Sequence, residues 1–138
     1  MKPVLLDSGV IVAALDRTDE YHAICAAALQ NLAEPLLTCE AVIVESCHLL
    51  RRLRGARQAV LQSLIRGVVQ LPFVLAEHAG PLVDTLNKYK DQGIDLADGC
   101  LIQMATALET GEILTLDSDF KFYRWGRNRA FRNVLGLW

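Results

Sequence analysis

Short apolar runs alternate along this chain with longer stretches of helical period, the pattern of an α/β fold with a mostly parallel sheet. Residues 3–6 read as a first buried strand, ended by Asp7-Ser8-Gly9, and residues 10–15 begin a helix. A polar connection over 16–20 leads to an alanine-rich amphipathic helix at 21–32, which Glu34-Pro35 breaks. A second strand is expected over 36–39. The next helix, 40–53, turns Val42, Ile43, Ser46, Leu49, Leu50 and Leu53 to the core. Helix continues over 60–69, and a third strand is expected at 71–75, where Pro72 suits an edge or a strand start. Gly80-Pro81 opens a further helical segment to about residue 90, and 91–93 form a turn.

The most informative stretch is 94–120. Leu101, Ile102, Ala105 and Leu108 recur at helical spacing, and Gly111 is expected to stop that helix. Residues 113–116 form a short apolar strand, with Asp117 and Asp119 directly after it. Asp95 and Asp98 stand at the helix entrance, where Asp95 suits an N-cap and Asp98 an acid of the first turn. Ligands of an open α/β sheet bind beyond the carboxyl ends of the strands. Asp7, at the end of the first strand, reads equally as a functional acid or as a helix cap. Glu45 sits inside an apolar helical run, pointing either to solvent or into the same crevice. A last strand is expected at 134–137.

With 138 residues, 52% hydrophobic and 22% charged, the chain should fold as one domain over 1–138. No apolar run has the length of a signal peptide or membrane span, so a soluble, cytoplasmic protein with no membrane partner is expected. The four cysteines form no CxxC pair, which argues against zinc and a disulfide framework and for small buried hydrophobes. His22, at a helix start, reads as a capping or packing residue. The net charge of −2 does not mark a nucleic-acid binder, but its distribution is uneven. Arg51, Arg52, Arg54 and Arg57 cluster around Gly55, as helix-end cations or phosphate contacts. The tail from Phe120 holds five of the 14 basic residues, six of the nine aromatics and no acid. Its aromatics are read as core anchors, and some of its arginines (Arg124, Arg127, Arg129) as nucleic-acid contacts.

If Asp7, Glu45, Asp98 and Asp117 converge, their carboxylates resist ionising together unless a cation neutralises them. Hard oxygen donors without His or Cys favour Mg²⁺ or Mn²⁺, which suit metal-assisted hydrolysis of a phosphate ester. The chain has no Gly-rich phosphate loop, which argues against a nucleotide-cofactor enzyme. An aspartyl phosphatase needs a second acid two residues after the first, and Gly9 stands there.

The first strand ending in Asp7-Ser8, the helical Glu45, LADGCLIQMATAL around Asp98 and ILTLDSDF around Asp117 together resemble a PIN domain. More narrowly, they resemble the VapC-type ribonuclease toxins of toxin–antitoxin pairs, over essentially the whole chain. The resemblance implies a three-layer α/β/α sandwich and a Mg²⁺-dependent endoribonuclease, with Mn²⁺ able to substitute. Asp7 and Asp98 match the metal-holding pair, Glu45 the acid between them and Asp117 the acid after the late strand. Asp119 competes with Asp117 for that last role. Ser8 and Thr115 match small polar positions that orient carboxylates or water. Gly99 departs from the small alanine-like residue that often follows the key Asp. The resemblance also implies a structured RNA substrate such as tRNA or rRNA, a small antitoxin partner and a homodimer. The alternative is a non-catalytic PIN-like module that binds RNA or protein.

Overall fold

The structure, a computed structural model, describes residues 2–138. Strand β1 (Val4–Leu6) is followed by helices α1 (Ser8–Leu15) and α2 (His22–Asn31), then β2 (Leu36–Leu37). Helices α3 (Glu40–Leu49) and α4 (Ala56–Ile65) lead to β3 (Val69–Gln70). Helices α5 (Ala79–Lys88) and α6 (Leu96–Leu108) lead to β4 (Glu112–Leu114). The tail forms the hairpin β5 (Arg124–Trp125) and β6 (Arg129–Ala130), and then β7 (Arg132–Asn133). Three short 3₁₀ turns, Leu75–His78, Lys90–Gln92 and Ser118–Lys121, complete it. No helix among the described residues is long and apolar enough to cross a membrane.

The main sheet has the order β3-β2-β1-β4-β7, and every pairing is parallel. A strand buried on both faces must be apolar throughout, and Leu5, Leu6, Ile113 and Leu114 are fully buried. Right-handed crossovers put α1 to α4 on one face, where the chain moves outward from β1 to β3. The jump back from β3 to β4 puts α5 and α6 on the other, which gives the α/β/α layering. Strand order reverses between β1 and β4, so the crevice of the sheet opens at their carboxyl ends. The backbone N–H of Asp7 donates to Leu114 O (3.0 Å), tying the two strand ends together where they enter that crevice.

Several expected boundaries shift, each for a local reason. Helix α4 ends at Ile65 because Gly67 turns the chain with φ 74°, so the third strand is Val69–Gln70 and not 71–75. Helix α3 stops at Leu49, which leaves Leu49 and Leu53 exposed instead of core-facing. The last strand lies at Arg132–Asn133, ahead of the expected 134–137. Helix α6 is closed by Glu109 in the left-handed conformation (φ 53°), two residues before Gly111. Gly111 has a different task. A Cβ there would collide with Trp125 Nε1, so only glycine admits the indole that donates to Ala130 O (3.1 Å).

The tail aromatics are anchors, as expected. Phe120, Tyr123, Trp125 and Phe131 are buried, while Phe122 is exposed. Phe120 meets Tyr123 and Phe131 edge to face, at centroid distances of 5.1 and 5.2 Å. Cys25, Cys39 and Cys100 are buried free thiols, and Cys47 is half-buried. His22 Nδ1 lies 2.8 Å from Ala13 O and so joins α2 to α1.

Candidate metal centre

Three separate segments of the chain deliver acids to the crevice. Asp7 ends β1 and caps α1, its Oδ1 accepting from Ser8 N at 2.8 Å. Asp98 lies in the first turn of α6, where Asp95 is the N-cap and accepts from Asp98 N at 2.8 Å. Asp117 stands beyond β4 and caps the 118–121 turn, its Oδ1 accepting from Asp119 N at 2.9 Å. One carboxylate oxygen from each of Asp7, Asp98 and Asp117 lies within 4.8 Å of the others. Asp7 and Asp98 are only 5% and 8% exposed, so these charges are held away from bulk water.

The remaining sequence-derived residues surround this group. Thr115 is fully buried; its hydroxyl donates to Asp7 Oδ2 (2.7 Å) and accepts from Asp117 N (3.0 Å). A single side chain therefore fixes two of the three acids. Ser8 Oγ donates to Glu45 Oε2 (3.1 Å), which places Glu45 beside the group without entering it. Of the two late acids, Asp117 joins the group, while Asp119 supplies the backbone N–H that orients it. Arg124 is engaged structurally, its Nη1 donating to Lys121 O and Tyr123 O. Arg129 lies over the Trp125 ring (5.1 Å), and Arg127 is exposed.

Two residues escaped the sequence reading. Tyr123 donates its hydroxyl to Asp98 Oδ2 at 3.4 Å, and Asn133 Nδ2 donates to Thr115 O at 2.9 Å. Both come from the tail, which thus supports the acids from behind. Asn133 stands just ahead of the expected last strand at 134–137, and nothing local marked its amide.

The electrostatics follow from crowding without a counter-charge. Among the described residues the one ion pair is Arg132 with Glu112, far along the sheet from these acids. Burial, then Asp95, Asp7 and Asp117, pushes the Asp98 carboxyl up to about 8. Burial also raises Asp7 to about 6, against the hydrogen bonds from Thr115 and Ser8, with Asp117 and Glu45 adding repulsion. Asp117 is raised too, by burial first. Three acids held this close ionise together only with a cation beside them, and an all-oxygen donor set fits a hard divalent ion better than a soft one.

A pH dependence follows for the protein stripped of metal. Both folded-state values lie above the ordinary 3.8, so the folded state holds protons that the unfolded chain releases. Their stabilising contribution is complete below about pH 3.8 and is lost as pH rises through about 6 for Asp7 and about 8 for Asp98. Chelated protein should melt lower at pH 8.5 than at pH 5.5, and saturating Mg²⁺ should raise the pH 8.5 value most. Scanning calorimetry at the two pH values, with and without chelator, checks this.

Comparison with known proteins gives the same architecture a family. The family model described as PIN domain matches residues 4–126. The curated Ribonuclease VapC26 of Mycobacterium tuberculosis (strain ATCC 25618 / H37Rv) is 28% identical over 116 residues, 83% of this chain and 86% of that protein. Among solved structures, Mycobacterium tuberculosis VapC20, titled a Sarcin-Ricin loop cleaving toxin, superposes with a TM-score of 0.76 at 18% identity. That superposition covers 84% of this chain and 91% of VapC20. The chain belongs to the PIN-domain family, as a VapC-type protein. Ribonucleases of this family are metal-dependent, which agrees with the buried acid cluster.

Proposed function

We propose that this chain is a metal-dependent endoribonuclease of the toxin class, acting as one nuclease unit over 1–138. The observation that carries the reading is the group formed by Asp7, Asp98 and Asp117 at the switch point of a parallel sheet, with no ion pair to it among the described residues. Its ribonuclease relative VapC26 and its fold likeness to VapC20 support RNA as the substrate.

In this reading Asp7, Asp98 and Asp117 hold Mg²⁺, for which Mn²⁺ substitutes. Bound there, the ion would lower the pKa of a water and offset charge building on a phosphodiester. The protein's own residues set the frame for that chemistry. Thr115 holds the Asp7 carboxylate and the Asp117 backbone, the Asp119 N–H holds the Asp117 carboxylate, and Tyr123 holds one oxygen of Asp98. Glu45, linked to Ser8, stands at the edge of the group as the acid that orients the attacking water or accepts its proton. The substrate is a structured RNA such as tRNA or rRNA, and a small antitoxin and a second copy of the chain are the protein partners. A non-catalytic PIN-like module would not need two buried carboxylates and a half-buried third held this close, which is costly unless a cation joins them.

The test is cleavage of a total tRNA and rRNA pool by purified protein with Mg²⁺, with Mn²⁺ and with chelator. Discrete fragments with either metal and none with chelator are expected. Fragments that persist unchanged in chelator, or an RNA pool left intact in both metals, would overturn the proposal.

A further inference from the structure

The site uses none of the five arginines on and around the α3–α4 corner. From Glu45 to Glu77 the sequence has no acid and no lysine, yet it contains Arg51, Arg52, Arg54, Arg57 and Arg66. All five are exposed, and none makes an ion pair among the described residues. In a chain of net charge −2 this is a local concentration of positive charge, half of the ten arginines in 16 residues. Four of them crowd the turn between α3 and α4, at Arg51 to Arg57. Arg51 is oriented there, with its Nη1 donating to His48 O at 2.8 Å. Arg17, from the end of α1, lines the same shallow concavity of about 380 Å³ as Arg54 and Gly55. Asp16 is the one acid lining it, and its Oδ1 accepts from the Thr18 N–H and hydroxyl, at 3.0 and 2.7 Å.

We propose that this arginine corner is a second RNA-binding surface, which grips backbone phosphates of a structured substrate several nucleotides away from the bond being cut. The inference rests on the nuclease reading above and adds where its substrate is held. Exclusive use of arginine suits phosphate, because the planar guanidinium fork matches two phosphate oxygens where a lysine offers a point charge. Distance suits it too. Helix α3 starts beyond the carboxyl end of β2, at the level of the crevice, and its ten residues carry the chain about 15 Å away from it before the corner begins. That span corresponds to roughly four nucleotides of a helical strand. A short single strand bound at the acids would not reach the corner, whereas a folded RNA would lie across both.

The experiment compares wild type with the triple variant Arg51→Ala, Arg54→Ala, Arg57→Ala on two substrates, a tRNA pool and a single-stranded oligonucleotide of four nucleotides. These side chains are exposed, and a matched melting temperature confirms that the variant folds. For tRNA, KM should rise at least ~10-fold with kcat within twofold, and the slope of log affinity against log salt should weaken by about 0.9 per lost contact. KM for the oligonucleotide should not change. A variant with Lys at the three positions should recover part of the tRNA affinity. Binding of tRNA to chelated protein, read by fluorescence anisotropy, should weaken in the alanine variant by the same factor as KM.

Unchanged tRNA affinity and salt slope would overturn the proposal, as would equal losses on both substrates or a fall in kcat. If wild type cleaves neither substrate, the nuclease reading fails, and the anisotropy arm still decides whether the corner binds RNA.

Discussion

Asp98→Asn should abolish RNA cleavage while making the metal-free protein more stable. The two effects have one cause. Asp98 is buried and faces Asp7, Asp95 and Asp117, so its ionised form is disfavoured until a cation arrives, and its carboxyl sits at about 8. The amide keeps the shape and can still accept from Tyr123, but it carries no charge to hold a divalent ion. Loss of a metal-holding acid is expected to cost roughly 10³-fold or more in kcat/KM, on the order of 4 kcal/mol of transition-state stabilisation. Chelated Asp98→Asn should melt above chelated wild type at pH 8.5, by roughly 2–5 °C for a chain of this size. At pH 5.5, where wild-type Asp98 already holds its proton, the difference should shrink. A variant that lost activity and also melted lower at both pH values would mark Asp98 as structural.

Phe120→Ala should produce the largest loss of stability and damage the site indirectly. Phe120 is fully buried and packs edge to face on Tyr123 and Phe131, as the buried residue of the turn that follows Asp117. Truncating a core phenylalanine costs about 3–5 kcal/mol through lost burial and the cavity left behind. For this chain that corresponds to a fall of roughly 10–20 °C in Tm. The backbone N–H groups of Phe120 and Phe122 bond to Asp117 O and Asp119 O. The cavity therefore loosens the segment that orients both Asp117 and Tyr123. Metal affinity should fall in Phe120→Ala even where the protein remains folded. Phe120→Leu should recover most of the stability, as measured by the denaturant midpoint.

The acids were legible in the sequence because each stands where local rules put a polar residue. Asp7 and Asp117 follow short apolar runs, and Asp95 and Asp98 open a strongly periodic helix. Asp7 was open between cap and functional acid, and the structure makes it both a cap and a member of the acid group. Phase was not legible in continuous apolar stretches. Residues 68–75 are apolar apart from Gln70 and Pro72 and suit extended chain throughout, so nothing local fixed the strand at Val69–Gln70 rather than later. Gly111 carried a helix-stop signal, but its actual constraint is the approach of Trp125 from the tail. Tyr123 and Asn133 were hidden for the same reason, since both act through tertiary contacts with residues that precede them in the chain.

Everything proposed for this chain depends on the acid group being a divalent-cation site, and direct Mn²⁺ binding tests that most closely. Electron paramagnetic resonance of free Mn²⁺, titrated with chelator-stripped protein, reads it without any RNA. Saturable binding is predicted, displaced by Mg²⁺ and tightening between pH 5.5 and pH 8.5 as Asp7 and Asp98 give up their protons. In Asp98→Asn it should weaken at least ~10-fold. Binding that ignores both pH and the Asp98 substitution would contradict the account.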